Sequence, residues 1–264
     1  MEYQNLTVER EGHLAIVTLN RPEKRNALSL DLMAEIEHVA GSFRDDGETR
    51  AVIFRGAGPH FTAGADLTDP RREERAKQTL LMKRRALGIG ARMIRALLEI
   101  DQITIAAIHG GAVGGGACIV TALDFRIGTE DCFVSYPEIN LGMNLSWVGL
   151  PLCVRLVGPS RAKRLAIGGQ RESAKTLLEW GFLDEVVTHE GLMQAARRMA
   201  EFYAGQPPTQ SQMIKRSVNT LVYAHDRAIM HMDTDQYLLA TSSEDYQEGV
   251  RAFFEKRTPR FKGT

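Results

Sequence analysis

The chain lacks an excess of either charge: lysine plus arginine and aspartate plus glutamate each total 33 in 264 residues, so its formal net charge is zero. A nucleic-acid binder usually carries a basic excess or stripe, and this balance argues against such a partner except through a local patch. Long apolar runs are missing as well. None approaches the roughly 20 residues that span a bilayer, and the opening Met-Glu-Tyr-Gln-Asn has neither the basic nor the apolar region of a secretory leader. Cysteine is scarce, with 3 residues, Cys118, Cys132 and Cys153. They form no CxxC pair and not the even count of a disulfide framework, which fits a reducing compartment. Each reads as a small buried hydrophobe. The expectation is a cytoplasmic protein with no membrane association.

What is present suits one large globular domain, or a domain with an appendage. Hydrophobic residues make up 44% and charged residues 25%, both ordinary for a soluble fold. The segments 13–20 (HLAIVTLN) and 51–55 (AVIFR) are short and rich in β-branched residues, while 29–43 between them repeats apolar residues at helical spacing. The same strand, helix, strand rhythm recurs through 104–109, the helix after the following glycines, and 124–128, with a further strand expected at 133–136. Alternation of this kind implies α/β layering around a parallel or mixed sheet. From residue 160 onward the pattern turns mainly helical, with helices expected over 160–167, 173–180, 190–203, 210–223 and much of 228–242. Gln206-Pro207-Pro208 marks a break between two of them.

Three constellations are candidates for chemistry. Phe61-Thr62-Ala63-Gly64-Ala65-Asp66-Leu67 follows a strand and a glycine turn, and its small residues leave backbone N–H groups open to close approach. A plain tight turn is the alternative. His109-Gly110-Gly111-Ala112-Val113-Gly114-Gly115-Gly116 reads as a strand running into a helix, a junction that points free N–H groups and a positive dipole end at an anion. No Gly-Lys-Ser/Thr follows, so it is not a phosphate loop; close helix-to-strand packing would also account for the glycines. Glu138 comes after Tyr136-Pro137, where proline ends regular strand pairing and lets the next side chain project from a fixed strand end. Most glutamates are solvated surface groups. The segment 70–85 (PRREERAKQTLLMKRR) holds 7 basic and 2 acidic residues; it is either a solvated helical face or a set of cations near a phosphorylated ligand.

In order and spacing, these pieces resemble the crotonase, or enoyl-CoA hydratase/isomerase, family. The resemblance rests on Leu19-Asn20-Arg21-Pro22 with Asn26-Ala27-Leu28, Ala63-Gly64-Ala65-Asp66-Leu67, Ala106-Ala107-Ile108-His109-Gly110 with Gly114-Gly115-Gly116, and Pro137-Glu138 with Leu141-Gly142. It continues through Arg155-Leu156-Val157-Gly158 to the C-terminus. It implies an α/β fold, a spiral of repeated β-β-α units over residues 1–200, and a helical region over 201–264 that supports a homotrimer or a dimer of trimers and closes the active site. It implies an acyl-CoA substrate, with coenzyme A arriving as part of that substrate and with neither a separate cofactor nor a metal.

By the same resemblance, the backbone N–H groups of Ala65 and Gly115 hold the thioester oxygen and Glu138 is the acid/base. Ala63, Asp66 and Leu67 lie against the adenine, with Ala27 in the same CoA-binding surface and Lys24 and Arg25 near the phosphates. Phe253, Phe254 and Lys256 close over the CoA, and Trp147 shapes the acyl pocket or belongs to the core. Fixed donors stabilise an enolate oxygen in a water-poor site, where losing one donor costs about 3 kcal/mol. Hydratases of the family carry a second glutamate twenty residues before the first, and that position here is Cys118. A thiol is a poor base at neutral pH unless its surroundings lower its pKa. One carboxylate suffices for an allylic proton shift, so the leading expectation is an enoyl-CoA isomerase. A hydratase in which Asp66, Asn140, Asn144 or Ser146 handles water, a thioester hydrolase, and a non-catalytic acyl-CoA-binding scaffold remain open. Ser146 stands where a dehalogenase-like enzyme would need an aspartate nucleophile.

Overall fold

The computed structural model describes residues 2–230 and 232–264, with all their side chains except those of Glu73, Ala76 and Arg227. Its framework is a six-stranded sheet of β1 (Leu6–Glu11), β2 (Leu14–Leu19), β3 (Ala51–Gly56), β4 (Ile103–Ile108), β6 (Phe125–Thr129) and β9 (Glu185–Val187), in that spatial order. β1 and β2 form an antiparallel hairpin, and every other neighbour is parallel. A smaller sheet holds β5 (Gly111–Val113), β7 (Phe133–Ser135) and β8 (Glu172–Ser173), and Thr62 extends it by a parallel bridge to Ala112. The chain steps from the large sheet to the small one and then into a helix, turn after turn. β3 leads to Thr62 and α3 (Leu80–Leu98), β4 to β5 and α4 (Gly115–Ala122), and β6 to β7 and α5 (Gly149–Gly168). This is the expected spiral of β-β-α units.

Parallel strands covered on both faces need apolar residues on both, and alternation sorts them. Ala15, Val17, Val52, Phe54, Ala106 and Ile108 face the main core with α1 (Leu30–Ser42), α3 and α4. Ile16, Ile53, Ile105, Ala107 and Ile127 face outward and are covered by Leu192, Ala195, Ala196 and Ala200 of α7 (Leu192–Ala204). Small alanines on α7 let the helix lie close against those isoleucines, and each fully buried isoleucine is worth roughly 1.5–3 kcal/mol over exposure. Ser29 caps α1, its hydroxyl accepting from Leu32 N, which is why the helix begins one residue into the expected 29–43.

Several elements depart from expectation. The helix expected over 160–167 begins at Gly149 and passes through a break at Gly158 (φ 80°, ψ 165°), because Pro159 cannot continue an uninterrupted ladder. The proline break at 206–208 starts α8 (Pro208–Tyr223), with Pro208 at the helix N-terminus. Glu138 does not project from a strand end: Pro137 opens a short 3-10 helix, Pro137–Leu141, and Glu138 sits in its first turn. The charged 70–85 stretch divides between α2 (Arg71–Ala76) and the start of α3.

The C-terminal helices dock onto this spiral. Lys215 of α8 donates to Asp124 Oδ2 at 2.6 Å and to Gln102 O at 2.7 Å. α10 (Asp233–Thr241) packs on α3, and α11 (Glu244–Glu255) packs on the 3-10 helix that carries Glu138. There Gly249 approaches Leu141 so closely that a Cβ would lie 2.5 Å from its carbonyl carbon. Among the described residues no helix is long and apolar enough to cross a membrane.

Candidate active site

Two glycine-rich segments meet between the sheets. Thr62 N donates to Gly111 O at 3.0 Å and Val113 N to Thr62 O at 3.1 Å, so the segment after β3 runs beside β5. Gly64 (φ 85°) makes the approach possible, since a Cβ there would lie 2.6 Å from Val113 O. Gly114 (φ 53°) then turns the chain into α4. Ala65 emerges next to Leu28 in an isolated bridge, and Gly115 is the first residue of α4. Among the described residues neither the Ala65 N–H nor the Gly115 N–H has an acceptor. For Gly115 this is inherent in its place, because the first N–H groups of a helix have no partner inside it.

Ala65, Gly115 and Glu138 line one cavity of about 510 Å³, with Asp66, Leu67, Cys118, Ser146 and Trp147 also in its wall. Glu138 Oε1 lies over Gly114, where a Cβ would stand 2.8 Å from it. Oε2 is shielded from solvent and has no hydrogen-bond partner. Burial therefore pushes this carboxyl up from its usual 4.5 to about 7, against a small opposing pull from its own backbone N–H. A group of that pKa both accepts and returns a proton near neutrality.

Cys118 is 1% exposed and faces the same cavity. Burial first, then the nearby carboxylates Glu138 and Asp233, push its thiol well above the ordinary range. It stays a thiol, directed at Ser146 O at 3.8 Å.

Trp147 lies against one of the two candidate donors, Gly115. Its indole is so close to Gly90 of α3 and Gly115 of α4 that a Cβ at either glycine would overlap the ring. Both Trp147 (φ 57°) and Val148 (φ 63°) are left-handed, an uncommon conformation for bulky side chains. Asp233, from α10, holds this turn: its Oδ2 accepts from Trp147 N at 2.9 Å, and the carboxylate also accepts from Val148 N. Burial raises the Asp233 pKa, and these two bonds oppose that rise.

The other expected ligand residues divide. Asp66 is tied down by Arg21 at 3.1 Å and by Thr68, which hold its carboxyl below the usual range against the effect of burial. Ala63 is exposed and bonds Arg25 O; Lys24 and Arg25 are exposed on the turn just before Asn26, and Ala27 lies beside it, none of them in the cavity wall. Phe253 and Phe254 are 56% and 58% exposed, and Lys256 follows them at the left-handed end of α11. α11 turns Gly249 and Ala252 inward, so within one chain these three do not reach the cavity. Asn140 donates to Gly169 O, and Asn144 is directed at Gln236 Oε1 at 3.4 Å; neither lines the cavity. Asp233, Tyr237 and Tyr246 do line it and went unnoticed in the sequence, where nothing local marks them. Among the described residues no group of three or more His, Cys, Asp or Glu side chains is placed to hold a metal ion.

Residues 9–264 match the family described as enoyl-CoA hydratase/isomerase. The chain belongs to the crotonase family. It is 32% identical to a short-chain-enoyl-CoA hydratase of Clostridium acetobutylicum over 259 residues, 97% of each chain. It is 30% identical to a 1,2-epoxyphenylacetyl-CoA isomerase of Escherichia coli, covering 96% of each. A crystal structure of an enoyl-CoA hydratase/isomerase from Xanthobacter autotrophicus superposes with a TM-score of 0.87 at 28% identity, covering 99% of this chain and 100% of that one. This is therefore a crotonase-family enzyme, of a family that acts on acyl-CoA thioesters, and the non-catalytic scaffold falls away.

Proposed function

We propose that this enzyme moves a proton along an enoyl-CoA thioester, with Glu138 as its single acid/base. The Ala65 and Gly115 N–H groups receive the thioester oxygen. Glu138, as carboxylate, takes a proton from C2 of a 3-enoyl thioester; the electron pair delocalises onto that oxygen, giving a dienolate. The protonated Glu138 returns the proton at C4, and the double bond ends between C2 and C3. Atoms and charge balance with no further reactant. CoA is carried as part of the substrate, and a homotrimer or dimer of trimers belongs to the same proposal.

The observation that carries this reading is Cys118. A second carboxylate at that place would position and activate water, whereas a neutral thiol directed at Ser146 O does neither. Glu138, held near pKa 7, matches a group that must be base and acid in turn. The test uses matched 2-enoyl- and 3-enoyl-CoA esters in D2O, following double-bond position, deuterium uptake and water addition. Migration without 3-hydroxyacyl-CoA, lost in Glu138→Gln, is expected; 3-hydroxyacyl-CoA formed at an enzyme-like rate would overturn it.

One observation favours water addition as a second reading. Asp233 places another carboxylate in the cavity wall, and the Clostridium acetobutylicum relative is named a hydratase. On that reading Asp233→Asn abolishes hydration while leaving migration measurable.

A further inference from the structure

The cavity wall changes character along α3. Lys83, Ala86, Leu87 and Gly90 follow one another at i, i+3, i+4 and i+7, so they share one helix face. Gly90 abuts the Trp147 indole beside Gly115, at the level of the candidate oxyanion donors. Lys83 lies seven residues back, about 10 Å along the axis at 1.5 Å per residue. Between them the lining is Ala86 and Leu87, with Lys83 at the far end. Arg72 and Arg75 of α2, three residues apart, line the same cavity. The Arg72 guanidinium approaches the Tyr237 hydroxyl, which the Tyr246 hydroxyl also approaches.

Among the described residues none of Arg72, Arg75 and Lys83 makes an ion pair, whereas Arg71 on the same short helix pairs with both Asp31 and Asp69. Of the acidic groups in the same wall, Asp66 is committed to Arg21, Asp69 to Arg71 and Asp233 to Trp147 N, and Glu138 lies against Gly114 beside the candidate oxyanion donors. Burial and then the neighbouring Arg71 lower the Arg75 pKa, Asp69 opposes them, and Arg72 and Arg92 add to the fall, so positive potential outweighs negative there. Cations lining a partly enclosed apolar space without ion-pair partners are relieved by an anion, and arginine holds a carboxylate through paired hydrogen bonds.

We propose that the acyl group this enzyme prefers ends in a carboxylate, so that its substrate is the CoA thioester of a dicarboxylic acid, with Arg72, Arg75 and Lys83 as the residues that select it. The inference rests on the acyl-thioester reading of the cavity and on no particular reaction. A methylene spacer lies along Ala86 and Leu87, and the distal carboxylate meets the cations. A plain fatty acyl chain would leave the same cations facing a methyl group.

The test compares binding of saturated esters, hexanoyl- and octanoyl-CoA against adipoyl- and suberoyl-CoA, by calorimetry on the intact protein. The wild type is expected to bind a dicarboxylic ester about tenfold or more tightly than its monocarboxylic partner, the factor that one charge-assisted hydrogen bond supplies. Arg75→Met and Lys83→Met are expected to shrink that ratio, and residual binding of the monocarboxylic ester reports that each variant is folded. A wild-type ratio near one would overturn the proposal, as would equal losses on both ester classes, which would assign the cations to the CoA phosphates. Because saturated esters do not react, failure of the proton-shift mechanism leaves this ratio intact, and the two ideas fail separately.

Discussion

Replacing Glu138 by glutamine should stabilise the fold while it removes the proposed acid/base. Burial holds the carboxyl at about 7 against an ordinary value of 4.5, so the native state binds its proton more tightly than the unfolded chain does. Below the unfolded value both states are protonated and the group contributes nothing. As pH rises from there through about 7, the unfolded chain loses its proton first, and stability falls. Above about 7 the full penalty is present, about 3 kcal/mol from the difference between the two values. Glutamine copies the neutral carboxyl in shape and cannot ionise, so it carries no such penalty. Urea unfolding of both proteins at fixed concentration should therefore give similar stabilities near about pH 4, and a gap widening to about 3 kcal/mol in favour of Glu138→Gln near about pH 9. The same substitution should lower turnover roughly 10²–10⁴-fold, the usual contribution of a general acid/base. Parallel stability profiles across that range would show that Glu138 is not buried as an uncompensated acid, and the basis for its role would go with them.

Three further outcomes are expected. Gly115→Ala puts a methyl group into the Trp147 ring and 3.0 Å from Leu28 Cδ1, displacing one donor; kcat should fall by roughly 10²–10³, with CoA-ester binding much less affected. Cys118→Ala should retain double-bond migration to within about tenfold, and Cys118 should resist a thiol reagent in the native protein, because a buried thiol of raised pKa offers little thiolate. Asp233→Ala leaves two buried N–H groups without an acceptor and should cost about 1–3 kcal/mol, whereas Asp233→Asn, which keeps an acceptor, should recover most of that in thermal melting.

The parallel strands β2, β3, β4 and β6 could be found in the sequence because burial on both faces leaves few polar residues in segments such as AVIFR or TIAAIH, whereas β9, three half-buried residues between helices, falls outside the expected strands. β1 could not, since Leu6–Glu11 is an edge strand whose exposed face carries Glu9 and Glu11. Nor could β5, three residues inside a glycine cluster that pair only because β7 and Thr62 flank them. The candidate oxyanion segments and Glu138 lie within short motifs, and short motifs survive in one dimension. The rest of the cavity wall does not: Gly90, Asp233 and Tyr246 meet Trp147 or the cavity only through the docking of α3, α10 and α11, and no spacing rule connects them. Trp147, read as pocket wall or core, serves as both, with its ring wedged between helices and forming part of the cavity floor.

That wedge explains why a strained turn persists. Left-handed backbone at a tryptophan and a valine costs on the order of 1–3 kcal/mol each, and nothing in the turn itself offsets it. The compensation comes from two directions: the slot left by Gly90 and Gly115 accepts the indole, and the Asp233 carboxylate accepts both N–H groups of the turn. Neither suffices without the other, since the slot fixes the ring but not the backbone, and Asp233 fixes the backbone but not the ring. The Gly115 donor rests directly on that ring, so the geometry of the candidate oxyanion site depends on α10 as much as on α4. The helical C-terminal region is thus part of the site within a single chain. Loosening α10 should reach the chemistry through Trp147 before it reaches the stability of the spiral.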